Sequence, residues 1–163
     1  MPATVQIVEK NGAGGTATDK TSGSVRFKTA DNATVDLVNP IVVPPSGFAY
    51  SFEKVLRTNV TVAPSQNISN IGAYSDGANG SGTGVEMYAK AVASYTQPVQ
   101  PSSITGWTDF FTYTSGSPLS LGAGPFTGTG EKGDHAYLMC RVGSTASPGL
   151  TPNEAFTLKF DEI

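Results

Sequence analysis

The sequence predicts an all-β chain: a two-sheet antiparallel β-sandwich with an extended N-terminal segment, a jelly roll being one arrangement its spacing allows. Three observations lead there. Gly and Pro supply 19 and 11 of the 163 residues, interrupting the chain too often for long helices. Short runs alternate apolar with polar side chains, the period-two pattern of half-buried strands. About eight such runs follow one another at fairly regular intervals, separated by turn-rich links.

Residues 1–47 read as an extended segment, either an arm laid on a neighbour or a part of the sandwich, and residues 48–163 as the sandwich domain. Val5–Val8 and Ser24–Lys28 alternate as strands do, while Asn11–Thr18 between them is too small and polar to order itself. Ile41-Val42-Val43-Pro44-Pro45 is an extended run stopped by a rigid turn. From Tyr50 to Val62 the even positions carry Tyr50, Phe52, Leu56, Val60 and Val62, and the break at Lys54 and Val55 marks a bulge. Pro64–Asn67 turns the chain into Ile68–Tyr74, and Asp76–Gly82 is a flexible loop. Gly84–Tyr95 alternates again, with Val85, Met87, Ala89 and Ala91 on one face. Residues 107–127 predict irregular structure with one short strand. His135–Val142 is a near-continuous apolar run suited to a central strand. Ala155–Ile163 closes the chain as an alternating strand.

Composition narrows the function classes. Charged residues are only 14% of the chain, against about 25% in soluble domains generally. Small neutral polar groups take their place, and these cost little to desolvate under a docking protein. The net charge is −3, and Lys10, Lys28, Arg57 and Arg141 stand singly. No basic row exists to grip phosphates or an anionic membrane, so no direct nucleic-acid or membrane partner is expected. Met1–Lys10 has neither a basic lead nor a long apolar run, so no secretory signal is read there. The four Asn-x-Ser/Thr sequons, at Asn32, Asn59, Asn67 and Asn79, are read as chance in a chain rich in those residues. A single cysteine, Cys140, precludes an internal disulfide and suits a reducing cytoplasm.

A search for catalytic chemistry yields weak signals. His135 is the lone imidazole available to a Ser-His-Asp mechanism, and no G-x-S-x-G surrounds any serine; a histidine at a strand end is the plainer reading. Cys140 sits mid-run, as a small buried hydrophobe does. Gly128-Thr129-Gly130-Glu131-Lys132-Gly133 matches the letters of a dinucleotide loop, but a strand follows it where that motif needs a helix N-terminus. Glu53 and Glu86 lie on candidate neighbouring strands, with Trp107 and Tyr88 available to stack on a sugar ring, a glycosidase-like arrangement that 13 acidic residues make easy to find by accident. Trp107, Phe110, Phe111 and Tyr113 form either an aromatic platform for a carbohydrate or a plug for one end of the sandwich. One His and one Cys cannot build a zinc site, and no calcium-loop spacing occurs. No catalytic, metal or cofactor residue is therefore assigned, no cofactor is expected, and the chain is read as a binding protein, not an enzyme.

Three segments, Tyr50–Arg57, Asn67–Ile71 and Gly84–Tyr88, together with Val142–Gly149 and Phe156–Ile163, resemble tailed-bacteriophage virion structural proteins in strand style. Within that class the chain is most similar to capsid decoration (cement) proteins, small β-rich subunits that dock on an assembled shell. The resemblance implies a homotrimer whose partner is the major capsid protein, bridging neighbouring capsomers on the virion's capsid surface after synthesis in the host cytoplasm. A neck or tail subunit, or a carbohydrate- or host-receptor-binding module, is the alternative.

Overall fold

The computed structural model describes residues 1–163. Its ten strands are β1 (Thr4–Asn11), β2 (Thr16–Asp19), β3 (Phe48–Tyr50), β4 (Lys54–Val62), β5 (Ile68–Tyr74), β6 (Val85–Val92), β7 (Thr108–Asp109), β8 (Leu119–Gly122), β9 (Gly130–Gly143) and β10 (Thr157–Glu162). One 3-10 turn, Phe110–Thr112, is the only helical element. All pairings are antiparallel, in a seven-stranded sheet ordered β2-β1-β4-β9-β6-β7, with β3 also on β9, and a three-stranded sheet ordered β10-β5-β8. The all-β sandwich expected from the periodicity is what forms.

β9 is the spine of the larger sheet. It pairs with β4 and β3 along one edge and β6 along the other, so both its faces must be covered, which explains its unbroken apolar run. Ala136 and Leu138 face the smaller sheet and join Leu56, Met87 and Ala89 there. Ile68, Ile71, Leu119 and Leu121 answer from the smaller sheet, with Phe110 and Phe111 of the 3-10 turn. Each such side chain contributes about 1.5–3 kcal/mol on burial. On the opposite face Tyr137 and Met139 are also buried, beneath residues 93–106. The Tyr137 hydroxyl donates to the Thr96 carbonyl at 2.7 Å and accepts from its N–H at 2.8 Å. Glu53 and Val99 exchange hydrogen bonds, Glu53 N–H to the Val99 carbonyl at 2.9 Å and Val99 N–H to the Glu53 carboxylate at 3.1 Å.

Three strands cannot cover the inner face of seven. The remainder lies under two strandless segments, residues 20–47 and 144–156. Phe27, Ile41 and Val43 pack there on Val85, Cys140, Val142 and Ala146. Three lysines fix the first segment. Lys54 Nζ donates to the Asn32 carbonyl at 2.7 Å, Lys20 Nζ to the Ala33 carbonyl at 2.7 Å, and Lys28 Nζ to the Thr34 carbonyl at 2.9 Å. Their charges are met by Glu9, 2.9 Å from Lys54 and 3.7 Å from Lys20, and by Asp36, 3.1 Å from Lys28. Lys28, Lys54 and Glu9 are all buried.

Several expectations are corrected. Ser24–Lys28 is not a strand: its alternation serves a loop that wraps the Lys28 ammonium with its own carbonyl and Asp36. Asn11–Thr18 is ordered, as the turn and return of the β1–β2 hairpin, because Asp31 accepts from the Asn11 side chain and Gly12 N–H, both at 2.9 Å. Gly12 and Gly15 supply the positive φ that the turn needs. The break at Lys54 and Val55 is not a bulge. Both residues are buried, on opposite faces of a strand that is covered on each side. The register instead slips farther along, where Gly133–His135 of β9 stand opposite Arg57 alone.

Removing one member of a buried ion pair costs about 3–5 kcal/mol because the other is left uncompensated. Urea unfolding of Lys54→Met should show a loss of that size, and the Glu9→Leu/Lys54→Met double variant should lose clearly less than the two single losses added together. Losses that simply add would contradict the pairing.

Candidate functional site

The lysine-pinned segment leads directly into an exposed apolar tract. Val35, Leu37, Val38 and Val42 are 52–71% exposed, with Phe48 at 46% nearby in sequence and Leu150 at 70% on the second strandless segment. Single exposed apolar side chains are ordinary, but four of them within residues 35–42 are a concentration of exposed apolar surface. The local geometry is strand-like. Ile41 and Val43 turn inward onto the Val85–Val142 cluster, while Val42 between them faces out. Residues 40–46 nonetheless form no main-chain hydrogen bond. Pro40, Pro44 and Pro45 lack an N–H, so the donors on offer before Ser46 are those of Ile41, Val42 and Val43. This is an unpaired edge held in place from behind, with apolar side chains on its open side.

The sequence-nominated residues go elsewhere. His135 is not at the surface: it is buried on the outer face of the larger sheet, where the β9 irregularity sets its Nε2 3.0 Å from Arg57 Nη1 and its Nδ1 3.3 Å from the Val92 carbonyl. Burial, then the Arg57 charge, holds its pKa below the ordinary histidine value. Glu131 bridges Lys10 and Arg57 at 2.5 and 3.0 Å. Its own burial would raise its pKa, yet the Lys10 hydrogen bond and the surrounding cations keep it below the usual carboxylate range. No serine hydroxyl bonds to His135.

Cys140 is buried on the inner face, and burial pushes its thiol up to about 12, the condition of an inert structural cysteine. Glu53 and Glu86 are not a free acid and base. Glu53 is held by Lys90 and Val99 N–H. Glu86 takes two bonds from Arg141, at 2.8 and 3.1 Å, and one from the Tyr88 hydroxyl. Burial and the Glu86 contact push Tyr88 up to about 12. The Lys90 ammonium lies 3.9 Å from the Trp107 ring centroid, so a face of that ring is taken. Phe110 and Phe111 are buried in the core, so of the four aromatics only Trp107 and Tyr113 keep partial exposure. The glycine motif has a packing role: a Cβ on Gly133, whose φ is +70°, would sit 2.3 Å from the Leu121 carbonyl oxygen. Its third glycine lets β9 approach β8.

Sequence reasoning found the Ile41–Pro45 run but not its lack of a strand partner, since nothing local announces that Lys20, Lys28 and Lys54 converge behind it. No family model, curated protein or solved structure matches the chain.

Because the folded state resists protonating His135, the unfolded chain binds the extra proton below the ordinary histidine value of about 6.5. Stability should therefore be level above that pH and fall on acidification from 7 to 5.5. In urea titrations this slope should vanish in His135→Gln, the chain having no other histidine. A wild-type midpoint that rises on acidification would contradict the assignment.

Proposed function

We propose that the chain is a structural binding protein that docks on other protein subunits through the edge and apolar tract of residues 35–48. The observation that carries this reading is the unpaired run Ile41–Val43, fixed on the fold side by two inward side chains and left without main-chain partners. A partner's extended segment laid along it would satisfy those groups, and Leu37, Val38 and Val42 would gain cover at the same time. Burying apolar area supplies the favourable free energy, while strand addition fixes the register.

The resemblance of Tyr50–Arg57, Gly84–Tyr88 and Phe156–Ile163 to phage virion proteins supports a specific setting: a capsid decoration subunit, acting as a homotrimer on the outer surface of the shell and bridging capsomers of the major capsid protein. A subunit bound across a joint opposes its opening by the free energy of its own binding. Several such contacts per trimer add by avidity, so each can be modest.

On this reading the purified protein runs at three times the 16.8 kDa of one chain, cosediments with DNA-free expanded heads of its phage and raises their melting temperature. Leu37→Asp/Val42→Asp should keep the fold and melting temperature of the isolated protein and weaken head binding by at least about tenfold. A chain that never cosediments, or a double variant that binds as well as wild type, would rule it out.

A further inference from the structure

The inner face of the larger sheet is not completely filled. Between it and the two strandless segments lies a cavity of about 380 Å³, in an interior where voids above the size of one water are scarce. It is partly open to the surface, and its volume falls at the lower end of the roughly 300–1,000 Å³ of small-molecule sites. Leu56, Met87, Leu138 and Cys140 form its floor, and Phe27 and Phe156 come in from the two segments. The floor is apolar and the wall is polar, with Lys20, Thr21, Ser24, Arg26, Asn153 and Glu154 along it, a division that suits an amphipathic small molecule.

The charged groups in its wall are unequal. Lys20 is committed to the Ala33 carbonyl and Glu9, and Glu154 accepts from the Ser81 hydroxyl at 2.9 Å. Arg26 is different. The other two arginines each hold a carboxylate, Glu131 for Arg57 and Glu86 for Arg141. Half-buried Arg26 has no carboxylate within 4.0 Å and makes no hydrogen bond. A guanidinium is built to take a planar carboxylate through two parallel bonds; Asp36 feels the Arg26 charge without contacting it, and Arg26 borders the cavity with no such paired contact.

We propose that this cavity binds a monocarboxylate with a straight apolar chain of roughly ten carbons, the chain on Leu138, Met87 and Cys140 and the carboxylate on Arg26. A single negative charge is specified because the Glu154 carboxylate also lines the cavity and would repel a dianion. Arg26 and the floor lie outside the exposed tract, although Ile41 of the docking run lines the cavity from its inward side.

The test compares decanoate, decanol and decyltrimethylammonium by calorimetric titration of the full chain, each below its micelle concentration, with thermal melting alongside. Decanoate should bind one per chain and raise the melting temperature. Decanol should bind about tenfold or more weakly, the loss of a charge-assisted contact, and the ammonium more weakly still. Arg26→Gln should cost decanoate about the same factor and leave decanol unchanged. Cys140→Phe, projecting into the floor, should abolish both; should it fail to fold, Arg26→Gln decides alone. Failure of decanoate to bind, equal binding of all three compounds, or decanoate binding untouched by Arg26→Gln would each overturn the proposal.

Discussion

Three consecutive carbonyls, those of Asn32, Ala33 and Thr34, each accept a hydrogen bond from a different lysine, and the rest of the arrangement depends on that clasp. Two of the lysines, Lys28 and Lys54, are almost wholly buried. A buried ammonium is stable only when charge and donors are both answered. Glu9 and Asp36 supply the charge, and the loop main chain supplies acceptors that a helix or sheet would have used internally. A segment without a strand partner is thereby tied to the sheet through side chains. That fixity allows Ile41–Val43 to remain extended and unpaired.

The need for the clasp comes from unequal sheets. A seven-stranded layer faced by three strands leaves an inner surface that must be covered by something other than strands. Residues 20–47 and 144–156 do this imperfectly, and both functional proposals come from the imperfection. Outward, the covering segment presents an unmatched edge and apolar side chains. Inward, it leaves the cavity that Arg26 borders. On the other face of the larger sheet, Glu131 answers both Lys10 and Arg57, Glu53 answers Lys90 and Glu86 answers Arg141. That face holds the residues with the most catalytic appearance, and each is bound to a neighbour.

Much of the sandwich was legible because its signals are local. β6 and β10 follow the alternation of their sequences, and the apolar run of β9 belongs to a strand covered on both faces. What was not legible depends on partners distant in sequence. Lys54 breaks the alternation of β4 because it answers Glu9, 45 residues earlier. Ser24–Lys28 has the rhythm of a strand, but Lys28 is drawn into its own loop by Asp36. Asn11–Gly15 has the composition of a floppy linker and is ordered by Asp31. The run Ile41–Val43, proposed for docking, was visible as an apolar run before two prolines; that no strand lies beside it is a property of the assembled chain.

Amide hydrogen exchange reads the central claim most directly, since it reports whether the Ile41, Val42 and Val43 N–H groups stand open while the segment behind them holds. In the isolated protein these three should exchange at rates near those of a solvent-exposed chain, with β9 amides protected, and on the assembled particle they should slow by orders of magnitude. Protection at Ile41–Val43 equal to that of β9 in the isolated chain, or exchange unchanged on the particle, would contradict the account.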